Sequence, residues 1–370
     1  MQNEIEIGRN KRGRRTYGLD DVAVVPSRRT RDPEDVSTSW QVDAYHFDIP
    51  IFAAPMDSVM SPETAIQLGQ FGGLGVLDLE GLWTRYENPE PLLEEIAHLE
   101  PSDVHGRIRE IYAEPIKPTL IRERITQLRE AGVVAAGSLS PQRTQEHWKS
   151  VVDAGVDIFF IRGTTVSAEH VSGNREPLNL KRFIYELDVP VIVGGCATYT
   201  AALHLMRTGA AGVLVGFGGG ASQTTWETLG ISVPLASAVA DVAAARRDYM
   251  DESGGRYVHV IADGGLGRSG DIVKAIACGA DGLMVGAALA RATEAPGRGF
   301  HWGSEAHHPT MPRGHRVEVG QVAPLEQILF GPGLSADGTT NLVGALRHAM
   351  ATTGYTDLKE FQRVEVVTTR

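Results

Sequence analysis

The sequence predicts an α/β fold in which eight strand–helix units close into a (β/α)8 TIM barrel. Three observations lead there. A phrase recurs along the chain, as EAGVVAAG at Glu130–Gly137, DAGVDIFFIRG at Asp153–Gly163, RTGAAGVLVG at Arg207–Gly216 and ACGADGLMVG at Ala277–Gly286. Each copy ends a helix, places a Gly that turns the chain in the left-handed conformation, and opens a short apolar run. Runs of that length and polarity suit parallel strands buried on both faces. Helical patterns separate most of them, and the alternation of strand and helix is that of an α/β barrel. An open doubly wound sheet is the alternative that the same alternation allows.

In chain order, the first segment, MQNEIEIGRNKRGRR, has no apolar core of the kind a secretory leader needs. Its basic run from Arg9 to Arg15 reads as a solvated arm, with contact to a phosphate as the alternative. The strands are expected at Ile49–Ala54, Leu74–Leu79, Val133–Gly137, Ile158–Ile161, Val189–Val193, Gly212–Val215, His259–Ala262 and Gly282–Val285. The interval Glu80–Gly132 is long enough for more than one helix. Pro234 stands at the start of the helical stretch PLASAVADVAAARRDYM. In DIVKAIACGAD, Ile272, Val273, Ile276 and Ala277 share one face. No shift in composition marks a second domain, so residues 1–370 are expected to form one barrel domain with an N-terminal arm and a C-terminal extension.

Composition narrows the function. A net charge of −11 argues against a nucleic-acid binder, which would carry a basic stripe. No apolar run reaches the roughly 18–20 residues that span a bilayer, so no membrane partner is expected. Two cysteines, Cys196 and Cys278, form no disulfide framework and fit a reducing, cytoplasmic setting. No metal-ligating cluster is expected.

Barrel chemistry sits at the carboxyl ends of the strands. Strand one leads to Met56 and Asp57, strand four to Arg162 and Thr164, and strand five to Gly194, Gly195, Cys196 and Thr198. Strand six opens the loop GFGGGASQTTW, Gly216–Trp226. Strand seven ends in Asp263, Gly264 and Gly265, and strand eight in Gly286 and Ala287. Glycines let main chain approach a ligand closely and turn N–H groups toward it. Three such loops on strands six to eight predict a phosphate site. Asp263 can take a ribose diol with both oxygens or cap the helix near Ser269. Met56 can pack on a flat ring or belong to the core. Asp57 can bind ligand or cap a helix.

Several phrases together resemble the IMP dehydrogenase/GMP reductase family. They are TYGLDDVAVVPS near Tyr17, IPIFAAPMDSVM at Ile49, FGGLGVLDL at Phe71, VGFGGGASQTT, VIADGGLGRSGDIVKAIACGADGLMVG and LVGALRHAMATTGY near Leu342, in family order across nearly the whole chain. The resemblance implies a barrel assembled as a homotetramer, a purine nucleotide monophosphate as ligand and NAD(P) as cofactor, and it admits a monovalent cation. Full-length dehydrogenases insert a pair of CBS modules after strand two. About fifty residues separate strands two and three here, so the chain resembles the short, CBS-free branch known from actinobacteria.

In that family a cysteine in the strand-six loop attacks the purine C2, because a thiolate is both a strong nucleophile and a good leaving group. Its position here carries Gln223, and a carboxamide cannot form that adduct. Other departures accompany it. Phosphate-contacting serines are replaced by Ala221, Ala287 and Ala54, the nicotinamide-side Asp by Arg162, and the strand-five Asn by Cys196. The arginine–tyrosine pair of the dehydrogenase flap is not evident in Phe300–Val319. Each lost hydroxyl removes a hydrogen bond worth about 1 kcal/mol net. Met56, Asp57, Gly218, Gly220, Thr225, Asp263, Gly265 and Gly286 remain as the nucleotide frame by motif alignment, with Arg162 and Thr164 toward the cofactor and Cys196 as a surrogate nucleophile. Two readings follow: an NAD(P)-dependent IMP/GMP oxidoreductase, or a non-catalytic purine-nucleotide sensor or regulatory partner subunit. An FMN-dependent barrel is a third, since flavin phosphate also suits glycine loops on strands seven and eight.

Overall fold

The computed structural model describes residues 4–173, 176–217, 219–222, 225–308 and 310–369. Eight parallel strands close into a barrel in sequence order: β1 Ile51–Ala53, β2 Leu74–Asp78, β3 Ala136–Leu139, β4 Ile158–Arg162, β5 Val191–Cys196, β6 Gly212–Val215, β7 His259–Asp263 and β8 Gly282–Val285, which pairs back onto β1. All but the end residues His259 and Asp263 are buried, as a sheet covered on both faces requires.

The recurring Gly is a helix-ending device. After helix Pro118–Glu130, Gly132 takes φ 75°, its N–H donates to Arg129, and the next N–H, from Val133, donates to Leu128. Gly155 and Gly279 end their helices with the same pair of bonds. This corrects the third strand, which starts at Ala136 rather than Val133. Val133 belongs to the helix stop and packs against the position of Gly69. The fifth strand also runs further than expected and includes Gly194, Gly195 and Cys196. A Cβ on Gly194 would meet Leu214 at 2.5 Å, so the glycine lets β5 and β6 lie close enough to continue pairing.

Between β2 and β3 the chain forms three α-helices, Glu90–His98, Val104–Ile111 and Pro118–Glu130. The helix beginning at Leu235 follows Pro234 and runs to Ser253. Before the barrel, the hairpin Trp40–Val42 and Tyr45–Phe47 covers the amino ends of the strands. Trp40 lies tilted against Phe52 of β1 at 4.9 Å and meets His259 of β7 edge-on at 5.8 Å, and a Cβ on Gly282 of β8 would touch its ring. The C-terminal strand Val366–Thr368 pairs antiparallel with Val22–Val24, joining the two ends of the chain. No helix among the described residues is long and apolar enough to cross a membrane.

Candidate functional site

The carboxyl ends of β1, β4, β6, β7 and β8 open into one cavity of about 860 Å³. Main chain makes much of its wall. Gly216 leaves β6 with φ 146°, and a Cβ there would stand 1.9 Å from the Asp263 carbonyl oxygen. Beyond it, a Cβ on Gly219 would come within 3.4 Å of the Gly265 nitrogen. The β6 and β7 loops thus run main chain against main chain, which any side chain would force apart. Gly220, Ala221, Asp263, Gly265, Gly286 and Met56 all line the cavity, as do Arg162 and Thr164. Gly218 and Gln223 lie outside the described residues.

Asp263 and Arg162 are engaged with each other. Arg162 Nε donates to Asp263 Oδ2 at 3.1 Å, and Arg162 Nη1 to Ser304 Oγ at 3.1 Å, with both charged side chains largely buried. Burial alone would lower the arginine pKa, but Asp263 and Glu305 more than offset it and raise it above the ordinary value. Asp263 caps no helix: Arg268 precedes the helix Ser269–Ala277, and Asp271 accepts the Arg268 N–H at 3.1 Å. Thr164 is covered in turn by Glu305, which accepts its N–H at 2.7 Å and its hydroxyl as well.

Three expected site residues do not face this cavity. Asp57 is buried, accepts the Leu82 N–H at 3.0 Å and the Tyr112 hydroxyl at 2.6 Å, and so supports the loop after β2. Thr225 is buried and donates its hydroxyl to the Phe217 carbonyl at 3.1 Å, which closes the β6 loop. Cys196 lies within β5 in the apolar core, and burial pushes its thiol up to about 12, so neither position nor ionisation suits a nucleophile.

The segment after β8 supplies what sequence reasoning missed. Phe300–His301 pairs with Val317–Glu318 to form the base of a flap, and residues between them reach the strand ends. His301 lines the cavity, holds Ser58 Oγ at 2.9 Å through Nδ1, and is pushed down to about 4 by burial, so it is neutral. Arg313 enters a buried cluster. Its Nη2 donates to Asp78 Oδ2 at 3.3 Å and to the Glu80 carbonyl at 2.7 Å, and its guanidinium lies 4.4 Å from the Tyr112 ring centre. Burial lifts Asp78 to about 7 against the pull of Arg313. Arg268 and Arg291 also line the cavity. Arg268 sits in the DGGLGRSGD motif, the one local signal that could have marked it.

A closed barrel with a glycine-walled cavity across the carboxyl ends of its strands has the layout in which α/β barrels carry their ligand sites. The chain belongs to the IMP dehydrogenase / GMP reductase domain family, whose model matches residues 16–309. It is 52% identical over 368 residues to a Mycolicibacterium smegmatis protein named an uncharacterized oxidoreductase, covering 97% of this chain and 98% of that one. It is 25% identical over 465 residues to the inosine-5'-monophosphate dehydrogenase of Methanocaldococcus jannaschii, covering 94% and 91%. The crystal structure of an IMP dehydrogenase/GMP reductase-like protein from Corynebacterium glutamicum matches with a TM-score of 0.92 and 48% identity, covering 99% of this chain and 98% of that one.

Proposed function

We propose that this member of the oxidoreductase family binds a purine nucleotide monophosphate without the family's covalent turnover, as a sensor or as a partner subunit of an active relative. The single observation that carries the reading is the cavity itself: glycine turns of β6, β7 and β8 converge on one space, with Met56 on its wall for a flat ring. Gln223 at the cysteine position and a buried Cys196 leave no thiolate for a purine adduct.

The nicotinamide side points the same way. Arg162 stands where the family places its nicotinamide-side Asp, and its guanidinium is spent on Asp263 and Ser304. Glu305 already fills the hydrogen-bonding positions of Thr164. These residues do not offer the contacts that the family uses for a nicotinamide. The oxidoreductase reading is favoured by family membership and by the name of the Mycolicibacterium relative. We further propose that arm, barrel and C-terminal extension fold as one unit without a CBS pair, in the cytoplasm, as a homotetramer.

Calorimetric titration with IMP, GMP, XMP, AMP and ATP, with NAD(P)H formation or loss followed in the same samples, tests the reading. The expected outcome is binding of a purine monophosphate with no change in NAD(P)H. Turnover would overturn the non-catalytic part, and absence of binding to any of the five would overturn the nucleotide site.

A further inference from the structure

We infer that Arg291 and Arg268 form a phosphate clamp where the β7 and β8 loops meet the loop Ser335–Thr340, so that the cavity selects a phosphate monoester over the bare nucleoside. The inference rests on the nucleotide reading and deepens it by assigning the residues that recognise charge.

Arg291 ends the single turn Leu289–Arg291 that follows β8, and it lines the cavity. Its Nε is buried and has no hydrogen-bond partner among the described residues. Four buried side-chain atoms share that condition, and the Arg291 atom is the one on this cavity. A desolvated charged donor without an acceptor is costly, which calls for an anion at this point. The nearby acid does not supply it. Asp337 is near enough for its charge to act on Arg291 but makes no ion pair with it among the described residues, its Oδ1 taking the Ser335 hydroxyl at 2.5 Å, the Thr339 N–H at 3.0 Å and the Thr339 hydroxyl at 2.8 Å.

Arg268 borders the same loop: a Cβ on Gly338 would lie 3.4 Å from the Arg268 Cβ. Its guanidinium is exposed and makes no ion pair among the described residues. Of the other acids on this rim, Asp20 is exposed to solvent, and two are committed elsewhere. Asp21 accepts the Gly18 N–H at 2.8 Å, and Asp271 takes the Arg268 main-chain N–H and lies 3.7 Å from Lys274 Nζ. Positions 221 and 287, which also line the cavity, offer methyl groups. Guanidinium forks match phosphate oxygens in pairs and stay charged at all relevant pH values, so they supply what those methyls cannot.

The test compares IMP with inosine, GMP with guanosine, and inorganic phosphate alone, by calorimetry on the full chain and on Arg291→Gln and Arg268→Gln. Arg291→Gln is expected to weaken both monophosphates and phosphate by about tenfold to a hundredfold, with the nucleosides unaffected. Arg268→Gln, a change at an exposed side chain, shifts the same ligands in the same direction by a smaller factor. If Arg291→Gln fails to fold, Arg268→Gln decides. Unchanged monophosphate and phosphate affinity in the folded variants overturns the clamp while the nucleotide reading stands. Phosphate binding that depends on these arginines, with no purine compound bound by the wild type, keeps the clamp and overturns the purine reading.

Discussion

Arg162 and Asp263 meet 3.1 Å apart at the mouth of the barrel, where each depends on the other. Neither side chain has enough water around it to stand alone, so removing one leaves a poorly solvated charge. Arg162→Met is expected to cost about 3–5 kcal/mol in urea unfolding, and the double variant Arg162→Met/Asp263→Leu to recover most of it. A loss in the double variant equal to the sum of the losses in Arg162→Met and Asp263→Leu would show that the pair is not coupled. Cys196 is a second case at this scale. With its thiol in the core and pushed up to about 12, it should resist alkylation at neutral pH until the protein unfolds, a contrast readable by mass spectrometry. Rapid labelling of the native protein would mean that β5 opens. Residue types at strand ends were legible, but partners were not. Asp263 stood out after an apolar run, yet nothing local says that an arginine a hundred residues earlier, and Ser304 beyond it, close around it.

At the scale of elements, periodicity located the strands because buried parallel strands are short and uniformly apolar. It misplaced the start of β3, since Val133 and Val134 look like strand while the helix stop consumes them. The flap was illegible for a different reason. Residues 302–316 have no period in the sequence, and the described ones among them are ordered by distant contacts: Arg313 with Asp78, Gly314 against Ser222, Trp302 Nε1 donating to Tyr112 at 3.0 Å. Arg313→Met should therefore loosen the flap, read as faster hydrogen exchange across it. It also has a signed pH dependence. Burial already holds Asp78 above its ordinary value, at about 7, and loss of the arginine raises it further. A carboxyl raised in the folded state contributes stability below its unfolded pKa and loses it as pH rises through the folded one. The deficit of the variant relative to wild type should thus be larger at pH 8 than at pH 5. A deficit independent of pH would exclude Asp78 as the group left behind.

Over the whole molecule, the C-terminal end of the chain holds the N-terminal segment that forms one side of the cavity rim. The Thr369 N–H donates to the Asp21 carbonyl at 2.8 Å, the Val25 N–H to Glu365 at 2.9 Å, and the Thr369 hydroxyl to Asp20 at 3.3 Å. Gly18–Asp21 lines the cavity through this tie. Deleting residues 365–370 removes little apolar burial, because Val366 and Val367 are exposed, so the barrel should keep its far-ultraviolet spectrum. Hydrogen exchange at Val22–Val24 should rise and nucleotide affinity fall. Unchanged affinity would show that the rim is bystander structure. At the opposite end, Trp40 and Phe47 stopper the barrel, and this has a consequence for traffic. Side chains fill the interior between the two ends, so a guest seated at the carboxyl ends comes and goes by that face and nothing passes through to the other.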